Sequence, residues 1–132
     1  MIGDWFQNLN NMNYEFKIIA LTSDPDFSIS LATECNKYGF LLTFIDNENG
    51  IISELDNKTI GVMILDLHEN NINPFNVCSK IKNNHGLPVF GVLNKFSKQI
   101  QERAKKSGFD LIFTKKMLIK SIREVIIHVS NE

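Results

Sequence analysis

Short apolar runs alternate along the chain with segments whose apolar positions recur every three or four residues. FKIIAL, Phe16 to Leu21, reads as a buried strand. Asp24-Pro25 follows, an N-cap with proline at the first helical position. Phe27, Leu31, Cys35 and Tyr38 then recur at helical spacing, and Gly39 ends the helix. Phe40 to Ile45 is a second strand, and a weaker helix is expected over Asn49 to Leu55. Thr59 to Leu65 is a third strand that stops at Asp66. Asn73-Pro74 repeats the cap-plus-proline device, with Phe75, Cys78 and Ile81 as the inward stripe. Pro88 to Leu93 is a fourth strand. Ser97 caps a helix with Ile100 and Ala104 inward and Gly108 at its end. Asp110 to Phe113 is a short fifth strand, and Leu118 to Val129 a last amphipathic helix.

Five strands alternating with five helices, the strands nearly continuous in apolar residues, predict a parallel sheet covered on both faces. The expected fold class is α/β, a doubly wound (βα)5 five-stranded parallel sheet. Sites in such a sheet gather outside the carboxyl ends of the strands. Here those ends carry Thr22, Ser23 and Asp24, then Asp66, then Leu93 and Asn94, then Thr114, Lys115 and Lys116. Asp66 and Lys115 are expected to converge. No strand end carries a Gly-rich phosphate loop, which argues against a flavodoxin-like binder of small molecules or nucleotides. Residues 1–14 fall outside the pattern as an N-terminal extension, with 15–132 as the domain. Trp5, Phe6, Leu9 and Met12 give that extension one short amphipathic turn. It reads as a tail packed on its own domain or disordered, with a docking peptide as the alternative.

Composition adds limits. The chain has 132 residues, 43% hydrophobic and 22% charged, ordinary for one globular domain. No run approaches 18 apolar residues, and the first residues lack the basic start, apolar stretch and small-residue cleavage site of a secretory signal. A cytoplasmic, non-membrane protein is expected. Cys35 and Cys78 sit inside helical patterns, as small hydrophobes would, and His68, His85 and His128 are scattered, so no metal site is expected. Net charge is −1 but uneven. Residues 1–90 hold five lysines against eleven acids, or −6; residues 91–132 hold nine basic residues against four acids, or +5. No aromatic residue interleaves with those lysines, which speaks against nucleic acid.

Four stretches, in this order, resemble the receiver domain of two-component response regulators, over about residues 16–130. VMILDL resembles the family's third strand, with Asp66 at the phosphoacceptor position. NPFNVCSKIK resembles the helix that follows. FTKK resembles the end of the fifth strand, with the family's lysine at Lys115. LTSDPDF resembles the first strand-to-helix loop. The resemblance implies a flavodoxin-like, CheY-like fold and a role in signal transduction or a phosphorelay.

The departures from the family pattern bear on activity. Where the family has two adjacent Mg²⁺-holding acids, this chain has Thr22 and Ser23; Asp24 is the next position, and a one-residue loop shift would bring it into the metal site. The hydroxyl residue that contacts the phosphoryl group is Leu93, and the aromatic switch residue is Ile112. Mg²⁺ demands octahedral oxygen ligands, and phosphoryl transfer rests on positioning and on cations that neutralise developing charge. The expected function is therefore that of a pseudo-receiver. Such a module binds a protein partner, with weak or no Mg²⁺-dependent phosphorylation, no catalytic residue and no enzymatic activity. Its degenerate acidic pocket is Thr22, Ser23 and Asp24, and its degenerate switch pair is Leu93 and Ile112. The alternative is a working phosphoacceptor taking a phosphoryl group from a histidine kinase onto Asp66, the only reading under which Mg²⁺ is a cofactor. For Asp66 and Lys115 the plain structural reading is an ion pair at the sheet rim. The partner, an acidic protein or a second copy, is expected on the face of the fourth helix, fifth strand and fifth helix, at Lys98, Arg103, Lys106, Lys120 and Arg123.

Overall fold

A computed structural model describes residues 16–56, 60–84 and 86–131. The N-terminal extension, its Trp5–Met12 turn and Thr59 lie outside the described residues. The strands are β1 (Phe16–Leu21), β2 (Leu41–Phe44), β3 (Ile60–Asp66), β4 (Val89–Leu93) and β5 (Leu111–Thr114). The helices are α1 (Pro25–Tyr38), α2 (Glu48–Asp56), α3 (Pro74–Asn84), α4 (Lys98–Ser107) and α5 (Lys115–Ser130). The strands form one parallel sheet in the order β2-β1-β3-β4-β5. This is the expected (βα)5 architecture.

Alternate side chains of the inner strands point to opposite faces, and each face is covered by helices. Ile19, Leu21, Met63, Leu65 and Leu93 pack with α2, α3 and α4. Ile18, Ala20, Val62, Ile64 and Val92 pack with α1 and α5. The two cysteines fall one in each layer, buried in α1 and α3, and burial pushes both thiols up to about 11.

Local chemistry fixes the element ends. Asp24 caps α1, its Oδ1 accepting from the N–H groups of Asp26 and Phe27. Ser97 caps α4, and Gly108, at φ 100°, closes it in the left-handed conformation that a side chain disfavours. Most ends lie within a residue of the sequence expectation, and two differences bear on the rim. β3 runs one residue further, so Asp66 is the last residue of a strand rather than the first of a loop. α5 starts at Lys115 rather than Leu118, because the Thr114 hydroxyl accepts from the Met117 N–H and caps an extra turn. Gly61 pairs with Lys17 in the β1–β3 register. A Cβ there would lie 1.8 Å from the Lys17 carbonyl oxygen.

Candidate functional site

At the carboxyl rim, Asp66 at the end of β3 meets Thr22 and Lys115, the residues just beyond β1 and β5. Asp66 is only 3% exposed, the one polar or charged residue buried among the described residues. Its carboxylate is fully engaged. Oδ2 accepts from the Thr22 hydroxyl at 2.6 Å and pairs with Lys115 Nζ at 3.0 Å. Oδ1 accepts from the His68 N–H at 2.9 Å. Burying a carboxylate is costly unless it is paired and hydrogen-bonded, and here three donors meet that demand.

Lys115 serves two acids. Its ammonium also lies 3.0 Å from Asp24 Oδ2, while Asp24 Oδ1 holds the start of α1. Burial alone would lower the Lys115 ammonium; hydrogen bonds to Asp24 and Asp66 outweigh it, and the net shift is upward. The hydrogen bond from Lys115, aided by the Phe27 N–H, pulls the Asp24 carboxyl below its ordinary value. Thr22 Oγ1 also accepts from the Asp24 N–H at 3.2 Å, so Thr22, Asp24, Asp66 and Lys115 form one closed cluster.

Two further residues span the loops above it. The Ser23 hydroxyl contacts both Glu69 carboxylate oxygens, at 2.7 and 2.9 Å, which ties the β1–α1 loop to the β3–α3 loop. His68 Nε2 accepts from the Asn94 N–H at 3.2 Å and ties the β3–α3 loop to the β4–α4 loop. Beneath these ties is a cavity of about 330 Å³ lined by Ser23, Asp24, Asp66, Glu69, Asn94 and Lys115 among others. Sequence reasoning missed Glu69 and His68. Their signal was their place two and three residues beyond Asp66, on a rim loop where polar side chains meet those of the neighbouring loops.

No protein-family model and no curated protein matches the chain. Solved structures do. A two-component response regulator from Clostridium difficile superposes with a TM-score of 0.73 at 18% identity, over 89% of this chain and 99% of that one. The signal receiver domain of a DNA-binding response regulator from Colwellia psychrerythraea gives 0.70 at 20% identity, over 85% and 98%. The Vibrio cholerae chemotaxis protein CheY4 gives 0.73 at 11%, over 86% and 98%.

The chain has the receiver fold.

Identities this low carry the fold and leave function to the site. Thr22 is bonded to Asp66 and Ser23 to Glu69. The loop shift that would offer Asp24 to a metal is not seen: both its oxygens are committed, to the α1 cap and to Lys115. Among the described residues, no three His, Cys, Asp or Glu side chains are grouped to hold a metal ion. A hard octahedral cation wants several unshared oxygens, and this donor set does not fit it. Leu93 is wholly buried in the layer under α3 and α4, and Ile112 packs, half-buried, against that same layer.

The basic residues Lys98, Arg103, Lys106, Lys120 and Arg123 are carried by α4 and α5, which flank the edge strand β5. α4 and α5 lie on opposite sides of the sheet and meet only across the edge of β5. Arg103 stacks on the Phe75 ring, 4.0 Å from its centroid, and so points to α3. Lys106, three residues on, follows it on that side of α4. Lys120 borders a groove of about 460 Å³ between α1 and α5, with Arg123 one turn further along. Lys98 is exposed at the start of α4. Among the described residues, no helix is long and apolar enough to cross a membrane.

Proposed function

We propose that this protein is a pseudo-receiver, a signal-transduction module that acts by binding a protein partner without Mg²⁺-dependent phosphoryl transfer and without enzymatic activity. The observation that supports this reading is the state of Asp66. Its two oxygens take hydrogen bonds or an ion pair from Thr22, Lys115 and His68, and among the described residues no three His, Cys, Asp or Glu side chains are grouped to hold a metal. Phosphoryl transfer depends on positioned cations, and the one cation here is already shared between two acids. With Leu93 and Ile112 in the core layer, the usual switch pair is absent, and the partner meets one conformation rather than two. The partner is an acidic protein, or a second copy, drawn by the basic half of the chain, and its binding weakens as salt rises.

The test is titration of the ¹⁵N-labelled protein with Mg²⁺, then with beryllofluoride, followed by amide shifts around Asp66. The expected result is Mg²⁺ binding weaker than millimolar, about −4 kcal/mol, and no response to beryllofluoride. Micromolar Mg²⁺ affinity would sink the proposal. It would instead support a phosphoacceptor charged by a histidine kinase, a reading that the 3.0 Å approach of Lys115 to Asp66 favours. A pull-down comparing the native chain with Asp66→Asn asks in parallel whether partner capture depends on that carboxylate. The proposal expects equal capture.

A further inference from the structure

A second cavity opens beside the one under the rim. It has a volume of about 370 Å³ and lies between the β3–α3 loop, the start of α3 and α4, with His68, Glu69, Asn73, Phe75 and Arg103 in its walls. That volume falls in the range of about 300–1,000 Å³ usual for small-molecule sites. The hydrogen bonds already made around it sort its polar atoms. Glu69 accepts from the Ser23 hydroxyl through both oxygens, and from the Asn71 N–H through Oε1. Asn73 Oδ1 accepts from the N–H groups of Phe75 and Asn76, and the Asn73 carbonyl takes the Val77 N–H. The first turn of α3 is thus capped from within, and its backbone donors are spent. His68 Nε2 accepts from the Asn94 N–H, which puts the ring proton on Nδ1.

These acceptors are committed to the chain itself, and the donors beside them are not. His68 Nδ1–H, the Asn73 side-chain NH₂ and the Arg103 guanidinium are open to a ligand. Among the described residues, Arg103 makes no ion pair. Its guanidinium stacks on the Phe75 ring, 4.0 Å from the centroid. Stacking restrains the planar fork and leaves its N–H edge free. A fork of that kind matches the two coplanar oxygens of a carboxylate. Charge sets how much anion the cavity can take. Arg103 balances one negative charge; a second would face Glu69 in the same wall without a partner. A carboxylate monoanion therefore suits the site better than a phosphate dianion.

We propose that this cavity binds a small molecule through one carboxylate group, whose two oxygens pair with the Arg103 fork and take further hydrogen bonds from Asn73 and His68. Leu67 and Pro74, also in its walls, give the rest of the ligand an apolar surface. Asp66 and Lys115 do not line this cavity, so the site stands or falls independently of the pseudo-receiver reading.

The test is titration of the ¹⁵N-labelled full chain with propionate, with propionamide as the uncharged analogue of the same shape and inorganic phosphate at matched ionic strength. The expected result is saturable shifts of the Arg103 Nε–H and the Asn73 side-chain NH₂ with propionate alone. Arg103→Gln should weaken that binding about tenfold or more, as loss of a charged hydrogen-bond partner does. Arg103→Lys keeps the charge without the fork and should weaken it several-fold. Asn73→Asp keeps the α3 cap but replaces the donor with a charge; saturation should vanish while far-ultraviolet circular dichroism is retained. The comparison of propionate with propionamide on the native chain keeps the proposal falsifiable if a variant fails to fold. Shifts that stay linear, or that match those with propionamide, overturn it. So does equal propionate affinity in the native chain and a folded Arg103→Gln, and tighter binding of phosphate overturns the assignment to a carboxylate.

Discussion

Replacing Lys115 with Met removes the ammonium and keeps the stem. Asp66, 3% exposed, then loses the charge that balances it, although the Thr22 hydroxyl and the His68 N–H remain. Stripping one partner from a buried pair costs about 3–5 kcal/mol, and the two surviving donors reduce that. The Asp24 contact, with that carboxylate about a third exposed, adds less than about 1 kcal/mol. The expected loss is therefore about 2–4 kcal/mol, a large share of the 5–15 kcal/mol typical of a domain. It should appear as a fall in melting temperature on the order of 10 °C and as an earlier urea midpoint at unchanged slope. Adding Asp66→Asn should recover at least half of the loss. The amide can accept from His68 and donate to Thr22 without leaving a charge stranded. Two results would refute the reasoning: a Lys115→Met loss below about 0.5 kcal/mol, the range of an exposed pair, or a double variant no more stable than Lys115→Met alone.

The same cluster sets a pH profile. Asp24 is lowered from 3.8, so its contribution is present above that value and is lost as pH falls through the lower folded value. Lys115 is raised from 10.5, so its contribution is full below that value and is lost as pH rises through the higher one. Urea midpoints should form a plateau across neutral pH and fall at both ends. Asp24→Asn should flatten the acid limb and, by removing one of the two acids that raise Lys115, weaken the alkaline limb as well; a profile unaltered by that change would contradict the assignment. Gly61→Ala should cost about 3 kcal/mol or more, because its Cβ would meet the Lys17 carbonyl oxygen in the β1–β3 pairing and backbone cannot step aside. Gly91→Ala meets only side-chain atoms of Phe109 and Leu67, at 3.1 and 3.2 Å, and should cost about 1–2 kcal/mol. Equal melting temperatures for these two variants would show that the backbone contact is not limiting.

The architecture was legible because strands buried on both faces read as unbroken apolar runs, and because Asp24-Pro25, Asn73-Pro74, Ser97 and Gly108 punctuate the helices by local chemistry. Convergence of Asp66 and Lys115 followed from topology alone, since both end strands of one parallel sheet. The links between loops were not legible. Thr22 reads as an ordinary cap hydroxyl until β3 brings Asp66 within 2.6 Å of it, and Ser23 and Glu69 are 46 residues apart. The start of α5 was missed because the apolar periodicity begins only at Leu118, while the cap that starts the helix is the Thr114 hydroxyl, read as part of the loop beyond the strand. Periodicity tells which side of a helix is inward, but not which way its outer flank leans. The stacking of Arg103 on Phe75 is settled only by the packing of α4 beside α3.

The buried thiols have a practical consequence. Cys35 and Cys78 are 1% and 0% exposed, and burial holds both thiols at about 11. The thiolate is the nucleophile that adds to a maleimide, so the native protein should give almost no background with maleimides near neutral pH. A single cysteine placed at exposed Ile29 on α1, Lys105 on α4 or Ile127 on α5 would then be the one modifiable group. Spin labels or fluorophores at those three positions would triangulate whatever docks on the molecule, with the wild-type cysteines left in place and the core undisturbed.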